Sequence, residues 1–172
     1  EDLVLAEKAG DIILNALIKN LPDPKGLFLM KRTATESVGD CSTWGAHENY
    51  MITDRLFRYL TENSNGDFSF DYQTILISHL ISRQLLGGAG HLLSLQGGTR
   101  LKFLVSPRVL FLKQLKAACT TADRSIINTR NEPWAKGNLI GLKRLHLIAG
   151  DMNRSDWSVY LKIGTTFLLL LY

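Results

Sequence analysis

The sequence predicts an α+β fold, a single unit over residues 1–172, and three observations carry that reading. Apolar residues recur at helical spacing near both ends, as Leu5, Ala9, Ile12, Ile13, Ala16, Leu17 and Leu21 and again as Trp157, Tyr160, Leu161, Phe167, Leu168 and Leu171. Between them lie short strand-like runs, Ala46 to Ile52, Ile126 to Arg130 and Lys143 to Ala149. Gly97-Gly98 separates two more apolar runs in the manner of a hairpin turn. Strands and a hairpin grouped among helices, with no internal repeat, give an α+β pattern.

In chain order, the first helix covers 2–21, weakened by Gly10 and stopped by Pro22 and Pro24. Leu27 to Lys31 is a short strand. Residues 33–45 are rich in Thr, Ser, Gly and Asp and form a loop. In the strand Ala46–Ile52, His47, Asn49 and Met51 share one face; Glu48, Tyr50 and Ile52 share the other. Asp54 caps a helix running to Leu60, and Asn63 to Asp67 is a polar turn. Tyr72 to Leu86 is a helix burying Ile77, Leu80, Ile81 and Leu85, and Gly87-Gly88-Ala89-Gly90 breaks it. His91–Leu95 and Leu101–Ser106 make the hairpin, and Pro107 reverses the chain. Val109 to Ala118 is a helix. Strands 126–130 and 143–149 follow, the latter placing Leu145, Leu147 and Ala149 on one face and Arg144, His146 and Ile148 on the other. Asn153 with Asp156 forms a box-like cap for the last helix.

Composition bounds the function. Hydrophobic residues make up 45% and charged residues 21%, the make-up of a globular chain. The longest apolar run, Phe167 to Tyr172, falls far short of the roughly 20 residues of a spanning helix, so no membrane is expected. There is no signal-peptide pattern. Cys41 and Cys119, without CxxC spacing, read as free thiols in a reducing compartment, the cytoplasm, against one disulfide as the competing reading. The net charge of +4 is uneven: residues 1–99 hold 8 basic against 12 acidic residues, and 100–172 hold 12 against 4. A basic half calls for an anionic partner or is a solvated face. Its aromatics are not interleaved with the basic residues, so no nucleic acid is expected; nucleotide phosphates are the better fit.

Two stretches concentrate the chemistry. Ser125 to Trp134 ends an apolar run in a polar cluster, and Lys143 to Asp151 ends a second run in Gly-Asp. Arg83, Arg130 and Arg144 lie near element ends, where a guanidinium forks onto phosphate or carboxylate, or forms a surface ion pair. Asn128, Thr129, Asn131 and Glu132 crowd the Arg130 tip. His47 and Glu48 are metal-capable types, but alternation sends them to opposite faces; a histidine bonded to a neighbouring strand is the competing reading. Gly87–Gly90 lacks the GxxxxGK[ST] pattern and is a turn. No nucleophile elbow is present. Cys119 reads as an inert thiol in an apolar helix, and Asp151 as a helix start or a ligand, the start being favoured.

Several fragments resemble the family of Pup ligases and Pup deamidases or depupylases, which share a glutamine-synthetase-like fold within the carboxylate-amine ligases. Ile126-Ile127-Asn128-Thr129-Arg130-Asn131-Glu132-Pro133 is similar to the family's I-I-N-T-R-D-E-P. Arg144 to Asp151 resembles R-L-H-V-I-V-G-D. Gly45-Ala46-His47-Glu48-Asn49-Tyr50 resembles G-x-H-E-N-Y. Ser82-Arg83-Gln84 with Gly88-Ala89-Gly90 resembles the R-Q and G-A-G segment, and Tyr160 to Thr166 the family's following helix. The resemblance implies a curved antiparallel sheet packed with helices, ATP and Mg2+ as cofactors, and Pup and pupylated proteins as partners. Pup is a small disordered protein tag that the ligases join, through its C-terminal glutamate, to substrate lysines. The depupylases cut that bond or deamidate Pup. The resemblance makes His47 a metal-site residue and places Arg130 and Arg108 at the phosphate or Pup-glutamate end.

The departures are specific. The family's D-E-P-H-A-D reads Asn131-Glu132-Pro133-Trp134-Ala135-Lys136, and its S-Q-R reads Ser106-Pro107-Arg108. Trp134 cannot ligate a metal. The family's E-x-E strand and catalytic aspartate would precede Glu1, so the domain reads as partial at both ends and no catalytic residue is assigned. Tyr160–Lys162 and Gly164–Thr166 lean towards a depupylase over a ligase. A degenerate Pup- or nucleotide-binding relative and a carboxylate-amine ligase on a small substrate are the alternatives.

Overall fold

The computed structural model describes residues 1–31, 33–34, 43–62, 67–95, 100–120, 122, 124–131 and 141–172, without the side chains of 67–70, 94–95 and 100. Its centre is a four-stranded sheet in the order β1-β6-β5-β4. Strand β1 is Ala46–Thr53, β4 Gln114–Ala117, β5 Ser125–Asn128 and β6 Leu142–Gly150. β6 runs antiparallel to both β1 and β5, while β4 runs parallel to β5. β2 (His91–Leu95) and β3 (Arg100–Leu104) form a separate antiparallel hairpin, as expected; Gly97-Gly98 lies outside the described residues.

Helices α1 (Asp2–Lys19), α2 (Asp54–Thr61), α3 (Asp67–Ser82), the short α4 (Gln84–Gly87) and α5 (Asp156–Leu171) complete the fold. Tyr50, Ile52, Leu145, Leu147 and Ile127 from the sheet pack on Phe57, Leu60, Leu76 and Leu80 from α2 and α3. Removing these side chains from water supplies most of the drive to close this layer. β1 keeps the alternation read from the sequence: Glu48, Tyr50 and Ile52 are buried, and His47, Asn49 and Met51 are not.

Several expectations change. Among the described residues Leu27–Lys31 pairs with no strand; Lys31 instead reaches Glu7 at 3.0 Å and Asp11 at 2.8 Å on α1. Residues 109–118 are not a helix. Pro107 opens a 3-10 turn to Phe111, and Gln114–Ala117 is drawn into the sheet beside β5, so tertiary pairing outweighs helix propensity. Cys119 is therefore an exposed thiol beyond β4 rather than a helical one. The cap of α2 is Thr53, whose hydroxyl accepts from Leu56 N, because Asp54 is already inside the helix. The cap of α5 is Ser155, accepting from Ser158 N. Helix α3 buries Leu76 and Leu80, whereas its Ile81 and, on α4, Leu85 face outward. Helix α5 buries Val159, Lys162 and Thr166 and leaves Trp157 75% exposed, with Tyr160, Phe167, Leu168 and Leu171 also outward. Its inner face is set by polar groups that serve a buried ion pair, described next.

Candidate functional site: an arginine-lined sheet face

The sheet separates two sets of polar residues. On the helical side, Glu48 takes a two-pronged grip from Arg83, with Nη2 to Oε1 at 2.7 Å and Nη1 to Oε2 at 2.8 Å. Tyr50 donates to the same Oε2 at 2.8 Å. Arg83 Nη1 also donates to Thr166 Oγ1 at 2.6 Å and to the Lys162 carbonyl at 3.3 Å. The two charged side chains are 5% and 4% exposed. Burial, and then the charge of Glu48, push the Tyr50 hydroxyl's pKa far up. Arg83 was expected at a phosphate or Pup site; the structure instead commits it to Glu48. Alternation is the reason, since Glu48 lies on the apolar face of β1 and a buried carboxylate requires a partner.

On the opposite face, the antiparallel register sets Asn49 across from His146, Met51 across from Arg144, and Asn128 across from His146. Directly opposed residues share a face. The register shift between Ala46 and Glu48 brings His47 against His146, with Nδ1 and Nε2 3.1 Å apart and ring centroids 4.9 Å apart. One nitrogen donates and the other accepts, as two neutral rings can. Asn128 shapes the β5 tip: its Oδ1 accepts from Arg130 N at 2.9 Å. Asn131 Oδ1 accepts from Arg144 N at 3.3 Å.

The charges around the histidines are positive. Burial, then Arg108 and Arg144, lower the His47 pKa. Burial, then His47, Arg144 and Arg130, lower that of His146 to about 4. Among the described residues no carboxylate acts on either ring. Arg108, expected at the phosphate end, is buried; its Nε donates to the Ile148 carbonyl at 3.1 Å and its Nη1 to Thr43 Oγ1 at 3.3 Å. A side chain at Gly45 would lie 2.6 Å from that carbonyl and 3.0 Å from Arg108 Nη2, so glycine permits the crossing. Two buried donors or acceptors at this face, Arg144 Nε and His146 Nδ1, have no hydrogen-bond partner.

Thus the charge of Arg144 acts on both histidines, that of Arg108 on His47 and that of Arg130 on His146, while Arg83 lies with Glu48 on the other side of the sheet. Reading the sequence for single charged residues missed His146, Asn49 and Asn128. The signal for His146 was present, because alternation already put it on the face of Arg144. Three guanidiniums beside neutral imidazoles suit an anion with several oxygens. They do not by themselves suit Mg2+, which takes hard oxygen donors. Glu48 points the other way, and the described residues contain no group of three His, Cys, Asp or Glu that could hold a metal. Glu132, Trp134 and Lys136 lie outside the described residues. Asp151 is no helix start: it is fully buried and accepts from Ala89 N and Arg108 N.

The neutral histidine has a pH consequence. A folded-state pKa of about 4 lies below the usual histidine value near 6.5, so the unfolded chain binds the extra proton first. Stability from this group is complete above about pH 6.5 and is lost as the pH falls towards 4, on the order of 2 kcal/mol by pH 5. His47 and His79 shift in the same direction. Urea unfolding at pH 7 and pH 5 measures this, and His146→Asn should flatten the difference.

A mixed sheet with helices on one face and a histidine pair among arginines on the other belongs to a fold class, the glutamine-synthetase-like fold. The family described as Pup-ligase protein matches residues 1–172, and the chain belongs to it. The Pup–protein ligase of Renibacterium salmoninarum is 36% identical over 174 residues, which cover 98% of this chain and 34% of that one. The Pup–protein ligase of Kribbella flavida is 35% identical over 176 residues, covering 98% and 35%. Among solved structures, the Pup ligase PafA in complex with ADP superposes with a TM-score of 0.66 at 28% identity over 98% of this chain and 35% of that one. The complex between Pup and its ligase PafA gives 0.66 and 28%, over 98% and 31%. The chain spans about a third of the length of these relatives. No helix among the described residues is long and apolar enough to cross a membrane.

Proposed function

We propose that this chain supplies the phosphate-binding sheet of a cytoplasmic Pup–protein ligase that uses ATP to join Pup to substrate lysines. The observation that carries it is the His47–His146 pair, 3.1 Å apart, in the positive field of Arg108, Arg130 and Arg144. Fixed guanidiniums stabilise negative charge that develops on a transferred phosphoryl group, and they need no reorganisation as it forms. Neutral imidazoles leave that positive field to the arginines and add hydrogen bonds without competing charge. ATP fits as the nucleotide, since a similar structure is a Pup ligase with ADP. Pup fits as the partner, since another is a ligase with Pup. Mg2+ belongs to the reading as a cofactor whose oxygen ligands lie beyond the described residues, with His47 at its edge.

The ligase direction is favoured over the depupylase direction that residues 160–166 suggest in the sequence. The relatives named above are ligases. Moreover, Lys162 and Thr166 face the core and serve Arg83, while Tyr160 is half exposed, so these positions report packing more than reaction type. The test incubates the full-length gene product with ATP, Pup and a lysine-bearing protein. Accumulating conjugate with ADP release is expected. Release of Pup from a preformed conjugate without ligation would reverse the assignment, and neither reaction would leave a binding protein.

A further inference from the structure

Asp151 is completely buried just past the end of β6; its charge acts on Arg108 and Lys162, but among the described residues it forms no salt bridge. Its two oxygens go to backbone donors on separate segments. Oδ2 accepts from Ala89 N at 3.0 Å, in the glycine-rich turn, and Oδ1 accepts from Arg108 N at 3.1 Å, in the 3-10 turn. The two segments are already crowded together. A side chain at Gly88 would run into the Val105 carbonyl oxygen, and Gly90 N donates to that same oxygen at 2.9 Å. One carboxylate therefore fixes both turns against the strand that carries Arg144 and His146. From this anchor the Arg108 side chain reaches the Ile148 carbonyl and Thr43, and its charge acts on His47.

We infer that Asp151 is a positioning residue that sets Arg108 in the anion site through the Arg108 backbone. This rests on the reading of that face as a phosphate site, and adds a residue that touches no ligand. A carboxylate accepts at both oxygens, whereas an asparagine presents N–H to one of the two backbone donors. Asp151→Asn therefore releases one turn without changing side-chain volume.

The test has two readouts on the whole chain. One is ATP affinity by calorimetry; the other is the hydrogen-exchange rate of the Arg108 Nε–H by NMR. Asp151→Asn should weaken ATP binding at least fivefold and speed that exchange. Leu80→Ala, which damages the core far from the turn, should lower stability and do neither. Unchanged exchange and affinity in Asp151→Asn overturns the inference. If wild-type chain does not bind ATP, the phosphate reading fails, and the Arg108 exchange alone still decides the positioning role. If Asp151→Asn does not fold, Asp151→Glu decides: its extra methylene shifts both acceptors, so unchanged Arg108 exchange there overturns the inference as well.

Discussion

Glu48→Gln is expected to destabilise this protein by about 3–5 kcal/mol, the cost of leaving one member of a buried ion pair without its counter-charge. Glu48 receives Arg83 at 2.7 and 2.8 Å and Tyr50 at 2.8 Å, and both charged side chains are nearly inaccessible. Glutamine keeps the volume but offers one oxygen, and turns an N–H towards a guanidinium or a phenol. Arg83 then keeps the one amide oxygen, Thr166 and the Lys162 carbonyl, all neutral. An exposed pair such as Lys8–Asp156, at 3.4 Å and more than half open to water, is expected to change little when broken. Urea unfolding compares the variants. Replacing both partners together, as Glu48→Leu with Arg83→Met, should recover much of the loss, because no charge is then stranded. A Glu48→Gln cost below about 1 kcal/mol would contradict this account of the core.

Arg144→Met is expected to weaken ATP binding roughly tenfold to a hundredfold, the worth of one hydrogen-bonded charge contact of about 1.5–3 kcal/mol. Arg144 stands on the central strand, opposite Met51, and its Nε is buried without a partner. Its charge lowers the pKa of both His47 and His146. Methionine retains most of the apolar stem and removes only the guanidinium, so stability at pH 7 should hold. Since a cation no longer opposes protonation of His146, its pKa should also rise, which NMR titration of the ring can follow.

The strands were legible because two-residue alternation depends on local chemistry alone. His47 and Glu48 were correctly sent to opposite faces, and Arg144 and His146 to the same one. What could not be read was which face each helix turns inward. Phe167 and Leu168 are more apolar than Thr166 and Lys162, yet the more polar residues face the core. The cause is non-local: Glu48, 118 positions before Thr166, needs Arg83, and Arg83 needs acceptors on α5. The same distance in sequence hid the roles of Asp151 and Arg83. The run 109–118 failed for a related reason, since a leucine-rich segment with helical propensity became β4 only because β5 offers it a parallel edge. Motif resemblance singled out Arg108 and Arg130, which periodicity could not; the charge of the first acts on His47 and that of the second on His146.

Calorimetric titration of this chain and its Arg144→Met variant with ATP and with adenosine tests the central claim most directly. The account predicts saturable ATP binding, much weaker adenosine binding, and a loss of ATP affinity in the variant that adenosine does not share. Equal binding of ATP and adenosine, no ATP binding, or an Arg144→Met affinity equal to wild type would contradict a phosphate site on this face.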